Sequence, residues 1–257
     1  MTEITKLKRE TLSEQAAEQL SAWMDARGMR PGDVLPSQAE LADQFGVSRT
    51  VVREAMRALA GRGVLDVVNG KGAVLKPLNS ESLAAYFTRS LRFEDVALVE
   101  MMEVRCGLEM QTASLAAGRR SDADVARMRA IVNDMGLYLR QVDKHAELDL
   151  QLHLAIAGAS RNRMLLHMIE SIRESALLAM ETGMIKRASD DDRRRMQAEH
   201  ETIVAAIQHR HPEAARQRMA EHIEAAAQRL AAAGLTRGHR LAPGQNGHAK
   251  TSISSNP

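Results

Sequence analysis

The chain has 257 residues and a formal net charge of only +2, so it is not a wholly basic protein and any surface for nucleic acid must be local. Its length allows about two domains, and 44% hydrophobic residues can form a sizeable core. Aromatic residues make up only 2% of the chain, which favours helices over a large β-sheet.

No segment of the sequence predicts export or membrane insertion. The first ten residues are basic but are not followed by an apolar run. No run approaches the roughly 18–20 apolar residues that a membrane span needs. Cys106 is the only cysteine, which fits a reducing compartment and a packing role better than a reactive thiol. We therefore expect a cytoplasmic protein.

The N-terminal part of the chain predicts three short helices. Thr11 begins a capping-box pattern, and the helix that follows should end near Gly28. The turn-rich segment MRPGDVLPS then leads to Ser37, which can cap a second helix, QAELADQF. Gly46 should end that helix, and Ser48 can cap a third. Two short helices separated by a tight turn form the helix-turn-helix arrangement.

The third predicted helix has two different faces. At about 100° per residue, Arg49, Arg53 and Arg57 fall on one side, and the apolar residues lie roughly 120° away. The apolar side can pack on the two earlier helices and leave the arginines free for phosphates and base edges. The alternative is an ordinary solvated face that Glu54 partly neutralises. The helix-turn-helix context favours the DNA-binding interpretation.

A β-hairpin should follow the third helix. Residues 64–68 and 73–75 are β-prone, and Asn69-Gly70 between them is a strong turn signal. Lys71 gives the tip of this hairpin a positive charge. No other part of the sequence predicts a β element convincingly.

The rest of the chain predicts helices that form a bundle. Good helix formers dominate from about Leu83, with breaks near 118–122, 158–162, 186–192 and 209–212, so we expect six or seven helices. The Gly-, Ser- and Pro-rich end predicts disorder. The predicted fold is therefore mainly α, with a three-helix domain and β-hairpin wing (1–76), a linker (77–82), an all-α antiparallel bundle (83–233) and a disordered tail (234–257).

One segment of the bundle, ELDLQLHLAI, carries a carboxylate and an imidazole among leucines. The alternating leucines permit a strand, but the scarcity of β-branched residues favours a helix. In either case Asp149 and His153 lie on the same side. Leucines on all sides predict a buried helix, in which an Asp and a His are costly unless they are paired or bound to something.

Two further histidines, His200 and His222, lie on the apolar sides of later predicted helices. Three neutral imidazoles and one carboxylate are a suitable ligand set for Zn²⁺, Ni²⁺ or Mn²⁺. Spacing alone leaves a second interpretation open, in which these are core histidines satisfied by hydrogen bonds. His145 and His167 are interpreted as surface or packing residues.

The segment LPSQAELADQFGVSRTVVREAMRALAGRGVL, followed by NGKG, closely resembles the winged helix-turn-helix domain of the GntR family of bacterial transcription regulators. The resemblance covers about residues 10–76. Ala39 stands where many members have an arginine that contacts DNA, so this contact should be missing. The resemblance implies that the operator is contacted by Ser48, Arg49, Thr50, Arg53, Asn69, Gly70 and Lys71.

Residues 95–232 resemble the FCD domain, the ligand-sensing domain of the FadR-like branch of that family. The resemblance rests on EVRCGLE, DLQLH, SRNRML, EHETIVAAI and ARQRMAEHI. It implies a single divalent metal ion bound by Asp149, His153, His200 and His222. It also implies that Arg105 binds an organic-acid effector, with Asn162 in the same pocket. The alternative for Arg105 is a surface ion pair with Glu109, worth only about a few tenths of a kcal/mol.

Together these features predict a metabolite-responsive transcription repressor that binds a palindromic DNA operator as a homodimer and is not an enzyme. Three alternatives remain. The first is a metal-dependent hydrolase or isomerase, although no HExxH or comparable catalytic signature is present. The second is a helical protein whose basic helix binds an acidic partner. The third is the same type of regulator with an acyl-CoA effector and no metal.

Overall fold

The computed structural model describes residues 11–68, 72–93, 97–180 and 189–232, and the chain divides into two units, Met1–Ser82 and Leu83–Pro257. The predicted wing tip (69–71) and predicted disordered tail (234–257) lie outside the described residues. The first unit contains α1 (Leu12–Ala26), α2 (Gln38–Phe45), α3 (Arg49–Gly61), β1 (Leu65–Val68) and β2 (Gly72–Leu75).

Local capping determines where the first three helices begin. The hydroxyls of Thr11, Ser37 and Ser48 each accept a backbone N–H three residues further on, at 3.2, 3.2 and 3.3 Å. Helix α2 ends at Gly46, whose φ of 63° is a left-handed conformation that glycine adopts without strain. These caps confirm the predicted starts of the three helices.

The core of the first unit is shared by all three helices and the hairpin. Leu20, Leu41 and Leu59, one from each helix, are completely buried or nearly so. Strands β1 and β2 pair in antiparallel register, with Leu65 opposite Leu75. This packing leaves the opposite side of α3 in contact with solvent.

The connection between α1 and α2 contains a feature that the sequence did not predict. Val34 forms an isolated β-bridge with Val74 of β2. The N–H of Leu35 also donates to the carbonyl of Ala73 at 2.8 Å. The segment predicted as a turn-rich connection therefore adds a third, very short extended piece beside the hairpin.

The second unit is entirely helical in its described part. It contains α4 (Glu81–Phe93), α5 (Ala97–Arg119), α6 (Asp122–Leu137), α7 (Val142–Ala159), α8 (Arg163–Met180), α9 (Asp190–Gln208) and α10 (Pro212–Ala232). These seven helices confirm the predicted bundle. Helix α4 begins inside the predicted linker, and the break at 138–141 was not predicted. No helix in the described ranges is long and apolar enough to cross a membrane.

Helix α7 lies in the middle of this unit and packs against α5, α6 and α8. No residue from Leu148 to Ser160 is exposed, and Leu152 and Ile156 are completely buried or nearly so. The leucine-rich segment is therefore a buried helix, as predicted, and not a strand. Any polar side chain on its inner face must find its partners inside the protein.

Candidate functional site

Helix α3 presents a row of arginines to solvent. Arg49, Arg53 and Arg57 are exposed, whereas the residues that face the other helices are buried. Glu54 is also exposed, but no acidic group of the described residues forms an ion pair with these arginines. The predicted segregation of charge from apolar residues is therefore present, and the three guanidinium groups form no ion pair within the described ranges.

The other residues predicted to contact DNA surround this row or lie outside the described residues. The hydroxyl of Ser48 caps α3 by accepting the N–H of Val51 at 3.3 Å. Thr50 is exposed in the first turn of the helix. Residues 69–71 are not described, but β1 and β2, which lead into them, form the predicted hairpin.

In the second unit, four predicted metal ligands meet at one point. Asp149 and His153 of α7, His200 of α9 and His222 of α10 each offer one ligand atom, and these atoms all lie within 4.8 Å of one another. The three histidines are at most 3% exposed. A metal with ligands about 2.0–2.2 Å away brings any two of them within about 4 Å, so the cluster needs only small adjustments.

The candidate ligand atoms lie close together, but the Nε2 atoms of His153 and His200 make no well-aligned hydrogen bond with Asp149. Asp149 Oδ1 lies 3.0 Å from His200 Nε2 and 3.7 Å from His153 Nε2. Yet neither nitrogen has an aligned hydrogen-bond partner among the described residues. Two atoms that bind one ion at about 2.1 Å in perpendicular directions are about 3.0 Å apart. The donor set therefore fits a divalent metal better than a self-contained hydrogen-bond network.

Two carboxylates contact the Nδ1 atoms of two histidine rings in the cluster. Glu199 Oε2 accepts a hydrogen bond from His222 Nδ1 at 2.8 Å, and Glu109 contacts Nδ1 of His153. A hydrogen bond at Nδ1 fixes the tautomer and leaves Nε2 available as a ligand. Burial, and then the charge of neighbouring His200, lowers the pKa of His222 to about 3, so this ring is neutral near pH 7.

Buried arginines balance the carboxylates. Arg105 Nε donates to Glu109 Oε1 at 2.9 Å, and Arg173 Nη1 donates to the same oxygen at 3.1 Å. Arg173 also pairs with Asp149. Burial alone would raise the pKa of each carboxyl. For Glu109, nearby His153 and the arginines outweigh burial; for Asp149, Arg173 and His153 do so. Both pKa values are therefore held well below their usual range.

The burial of Arg105 corrects the alternative interpretation of this residue as one partner of a surface ion pair. The Arg105–Glu109 pair exists, but Arg105 is 5% exposed and Glu109 is 2% exposed, so it is not a surface pair. A buried pair of this kind remains only if both groups are well satisfied.

The structure does not bring Asn162 to the cluster. Its Oδ1 accepts the backbone N–H groups of Met164 and Leu165 at 3.1 and 3.2 Å, at the start of α8. Asparagine is a favoured residue at this position because its side chain satisfies free N–H groups at the start of the helix. Asn162 therefore has a local structural role at the start of α8, and its place in the effector pocket stays a prediction.

Sequence reasoning missed several residues around the cluster. Arg173 and Glu199 were not predicted, and Glu109 was considered only as a surface partner. His145, interpreted as a surface or packing residue, is 3% exposed, and its Nε2 has no partner among the described residues. Helical spacing could have found His145, because it lies four residues before Asp149 on the same face of α7.

A separate apolar cleft of about 510 Å³ lies between α5 and α10. Its lining includes Val99, Met102, Ile223 and Leu230, and none of the four metal-ligand candidates belongs to it. Apolar clefts of this size can hold a small molecule or an acyl chain.

These features define a class of protein. A helix-turn-helix with an exposed arginine row suits DNA binding, and a separate helical unit with a buried polar cluster suits ligand sensing. Together they define a DNA-binding transcription regulator with a ligand-binding domain.

Comparison with known families agrees with this class. Residues 12–75 match the family described as bacterial regulatory proteins, gntR family, and residues 100–225 match the FCD domain. The chain belongs to the GntR family of bacterial transcription regulators and carries an FCD domain, which confirms the resemblance seen in the sequence.

Individual relatives support the same assignment. The chain is 32% identical over 197 residues to the HTH-type transcriptional regulator LutR of Bacillus subtilis, covering 76% of this chain and 90% of the relative. It is 31% identical over 194 residues to the Uxu operon regulator of Haemophilus influenzae, covering 75% and 71%. The structure of Streptococcus agalactiae GntR is 28% identical, with a TM-score of 0.64, covering 84% of this chain and 99% of that one. The protein is therefore a transcription regulator, not an enzyme.

Proposed function

We propose that this protein is a metabolite-responsive repressor. It binds a palindromic operator as a homodimer in the cytoplasm and releases the operator when its second unit binds a small organic acid at a divalent metal ion. The observation that carries this proposal is the convergence of Asp149, His153, His200 and His222 within an FCD domain.

The proposed DNA contact rests on the free arginines of α3. Because Arg49 and Arg53 have no ion pair among the described residues, binding to phosphates or guanines breaks no existing contact. Thr50 and the cap residue Ser48 lie at the end of the helix that reaches bases in related folds. A dimer with twofold symmetry would read two half-sites about one helical turn apart.

In the second unit, the four clustered side chains would hold Zn²⁺, Ni²⁺ or Mn²⁺, all of which accept imidazole and carboxylate ligands. The bound metal supplies a Lewis-acidic position for one carboxylate oxygen of the effector. The chain's own residues prepare this position. Burial keeps His222 neutral, while Glu199 and Glu109 hold two rings in orientation.

The proposed effector is anionic because a divalent metal would add positive charge to a cluster in which buried arginines and carboxylates already balance each other. Arg105 lies close enough for its charge to interact with Asp149 and Glu109. Charge-assisted bonds to a carboxylate are stronger than neutral ones in such a site. The carboxylate of a small acid would therefore be attracted by the charges of both the metal and Arg105. An uncharged sugar would lack this attraction to either charge.

Regulation requires that the acid bind the free protein more tightly than the operator-bound protein. By linkage, a tenfold preference for the free protein weakens operator affinity by the same factor of about ten. An acid that binds the free and operator-bound protein equally would leave operator affinity unchanged, however tightly it binds.

Thermal melting with and without a chelator, across glycolate, lactate, galactonate and citrate, tests this proposal. We expect at least one acid to raise the melting temperature only when Zn²⁺, Ni²⁺ or Mn²⁺ is present. The same acid should weaken operator binding in a gel-shift titration at fixed salt. Failure of every acid to stabilise the metal-loaded protein, or unchanged operator affinity with a bound acid, would contradict the proposal.

The apolar cleft between α5 and α10 favours one second candidate, a regulator with an acyl-CoA effector. Its lining could accept a hydrocarbon chain, and it needs no metal. Palmitoyl-CoA in the same melting series distinguishes the two candidates. Stabilisation by the acyl-CoA that persists with chelator would favour the second candidate, whereas metal-dependent stabilisation by a small acid would favour the first.

A further inference from the structure

Arg173 of α8 occupies an unusual position beside the candidate metal cluster. It is 6% exposed, and it donates through Nη1 to Glu109 at 3.1 Å and pairs through Nη2 with Asp149. It therefore contacts a candidate metal ligand directly. Arg105, by contrast, bonds to Glu109 and to the sulfur of Met102, neither of which belongs to the cluster.

The Nε–H group of Arg173 donates no hydrogen bond among the described residues. This nitrogen is also buried. Buried donors without partners are rare, because burial removes the water that would otherwise satisfy them. Nε and Nη2 form one edge of the guanidinium, the edge that can bind a carboxylate through two parallel hydrogen bonds. Nη2, which contacts Asp149, belongs to this edge. The unpaired Nε–H is its neighbour on the guanidinium and therefore lies beside the cluster.

The charges around the cluster indicate what kind of ligand could accept the unpaired Nε–H of Arg173. Arg105 and Arg173 pair with Glu109 and Asp149, so the charges of these two arginines and two carboxylates balance each other. A divalent metal held by the cluster would add two positive charges to this buried group, with Asp149 as one of the residues that hold it. Unbalanced buried charge is strongly disfavoured, so the loaded site requires an anion close to both the metal and Arg173.

We infer that Arg173 is an effector-binding residue, whose Nε–Nη2 edge binds the carboxylate of the acid when the metal occupies the cluster. This inference rests on the proposed function and adds a specific residue to it. Arg173 holds Asp149 before the metal binds and turns to the acid afterwards, which couples the two binding events.

The test uses the full chain with Arg173→Lys and Arg173→Gln. Arg120→Gln is the matched control, because Arg120 also has a buried Nε without a partner among the described residues but pairs with Asp122, outside the cluster. Zn²⁺ affinity is measured by competition with a chromophoric chelator. Calorimetry then measures the affinity of the Zn²⁺-loaded protein for the acid of the set above that stabilises the wild type, and for the corresponding amide.

We expect both Arg173 variants to lose at least about tenfold in acid affinity, because each lacks the two-bond edge, while Zn²⁺ affinity changes by less than about threefold. Arg120→Gln should leave acid affinity within about threefold of the wild type. The amide, which has no charge, should bind none of these proteins measurably. In the wild type, the Nε–H resonance of Arg173 should move when the acid is added, which provides a readout even if a variant does not fold.

Four results would overturn the inference. If wild type and Arg173→Lys bind the acid equally well, Arg173 does not bind the effector, and the proposed function still stands. A parallel loss of Zn²⁺ and acid affinity would show that Arg173 only positions Asp149. An unmoved Nε–H resonance would exclude direct binding. If no acid binds the wild-type Zn²⁺-loaded protein, both the inference and the proposed function are wrong.

Discussion

Replacing Glu199 by alanine should weaken metal binding although Glu199 is not a ligand. Its carboxylate accepts the Nδ1–H of His222 at 2.8 Å and receives two bonds from Arg229, both at 3.3 Å. The substitution leaves the His222 ring without its outer partner. Removing such a partner of a metal-binding histidine typically lowers metal affinity about 10–100-fold.

This loss can be converted into a stability difference. Metal at 100 times its dissociation constant stabilises the folded protein by about 2.7 kcal/mol. At the same free metal concentration, a tenfold weaker site leaves about 1.4 kcal/mol, and a hundredfold weaker site leaves about 0.4 kcal/mol. The metal-free variant should also lose about 1–3 kcal/mol, because a buried Nδ1–H loses its acceptor.

Urea unfolding in buffered Zn²⁺ and in chelator separates these two effects. Glu199→Gln should lie between wild type and Glu199→Ala, since an amide oxygen can still accept the hydrogen bond without the charge. Glu201→Ala removes an exposed carboxylate from the same helix and is the matched control. If Glu199→Ala gains as much stability from Zn²⁺ as the wild type does, the orienting role of Glu199 is wrong.

Three further predictions address the two units. Arg53→Ala should weaken operator binding by about 1–3 kcal/mol in gel shifts at fixed salt, whereas Arg129→Ala in the second unit should not; equal affinities would argue against the α3 surface. His200→Ala should make the melting temperature insensitive to chelator, and a persisting chelator effect would place the metal elsewhere. Leu152→Ala should cost about 2–5 kcal/mol in urea unfolding, because Leu152 is completely buried in α7; a cost below about 1 kcal/mol would contradict its core position.

Local signals made much of the fold predictable. Side-chain caps at Thr11, Ser37 and Ser48 identify helix starts because short polar side chains satisfy N–H groups that no helical carbonyl reaches. The break at 138–141 carries neither glycine nor proline, and the cap residue Gln141 makes no side-chain cap bond, so the sequence offered no signal there. The bridge at Val34 depends on contact with a distant strand, which local reasoning does not capture.

The candidate site was partly predictable for a related reason. His200 and His222 stand on apolar helix faces, so their burial follows from helical spacing. Arg173 also stands four residues after a buried isoleucine, Ile169, but long charged side chains are mostly solvated, so helical spacing alone does not predict its burial. Whether such a side chain turns inward depends on buried carboxylates from other helices, here Glu109 and Asp149, which become neighbours only after folding.

The candidate ligands come from α7, α9 and α10, and they span residues 149–222 of the chain. A cation held there acts as a cross-link that closes long loops and exists only in the folded protein. Its loss would shift the population toward partly opened forms, which intracellular proteases degrade. We therefore expect metal starvation to reduce the lifetime and abundance of the regulator, so that its genes respond to metal supply even when the concentration of the effector is constant.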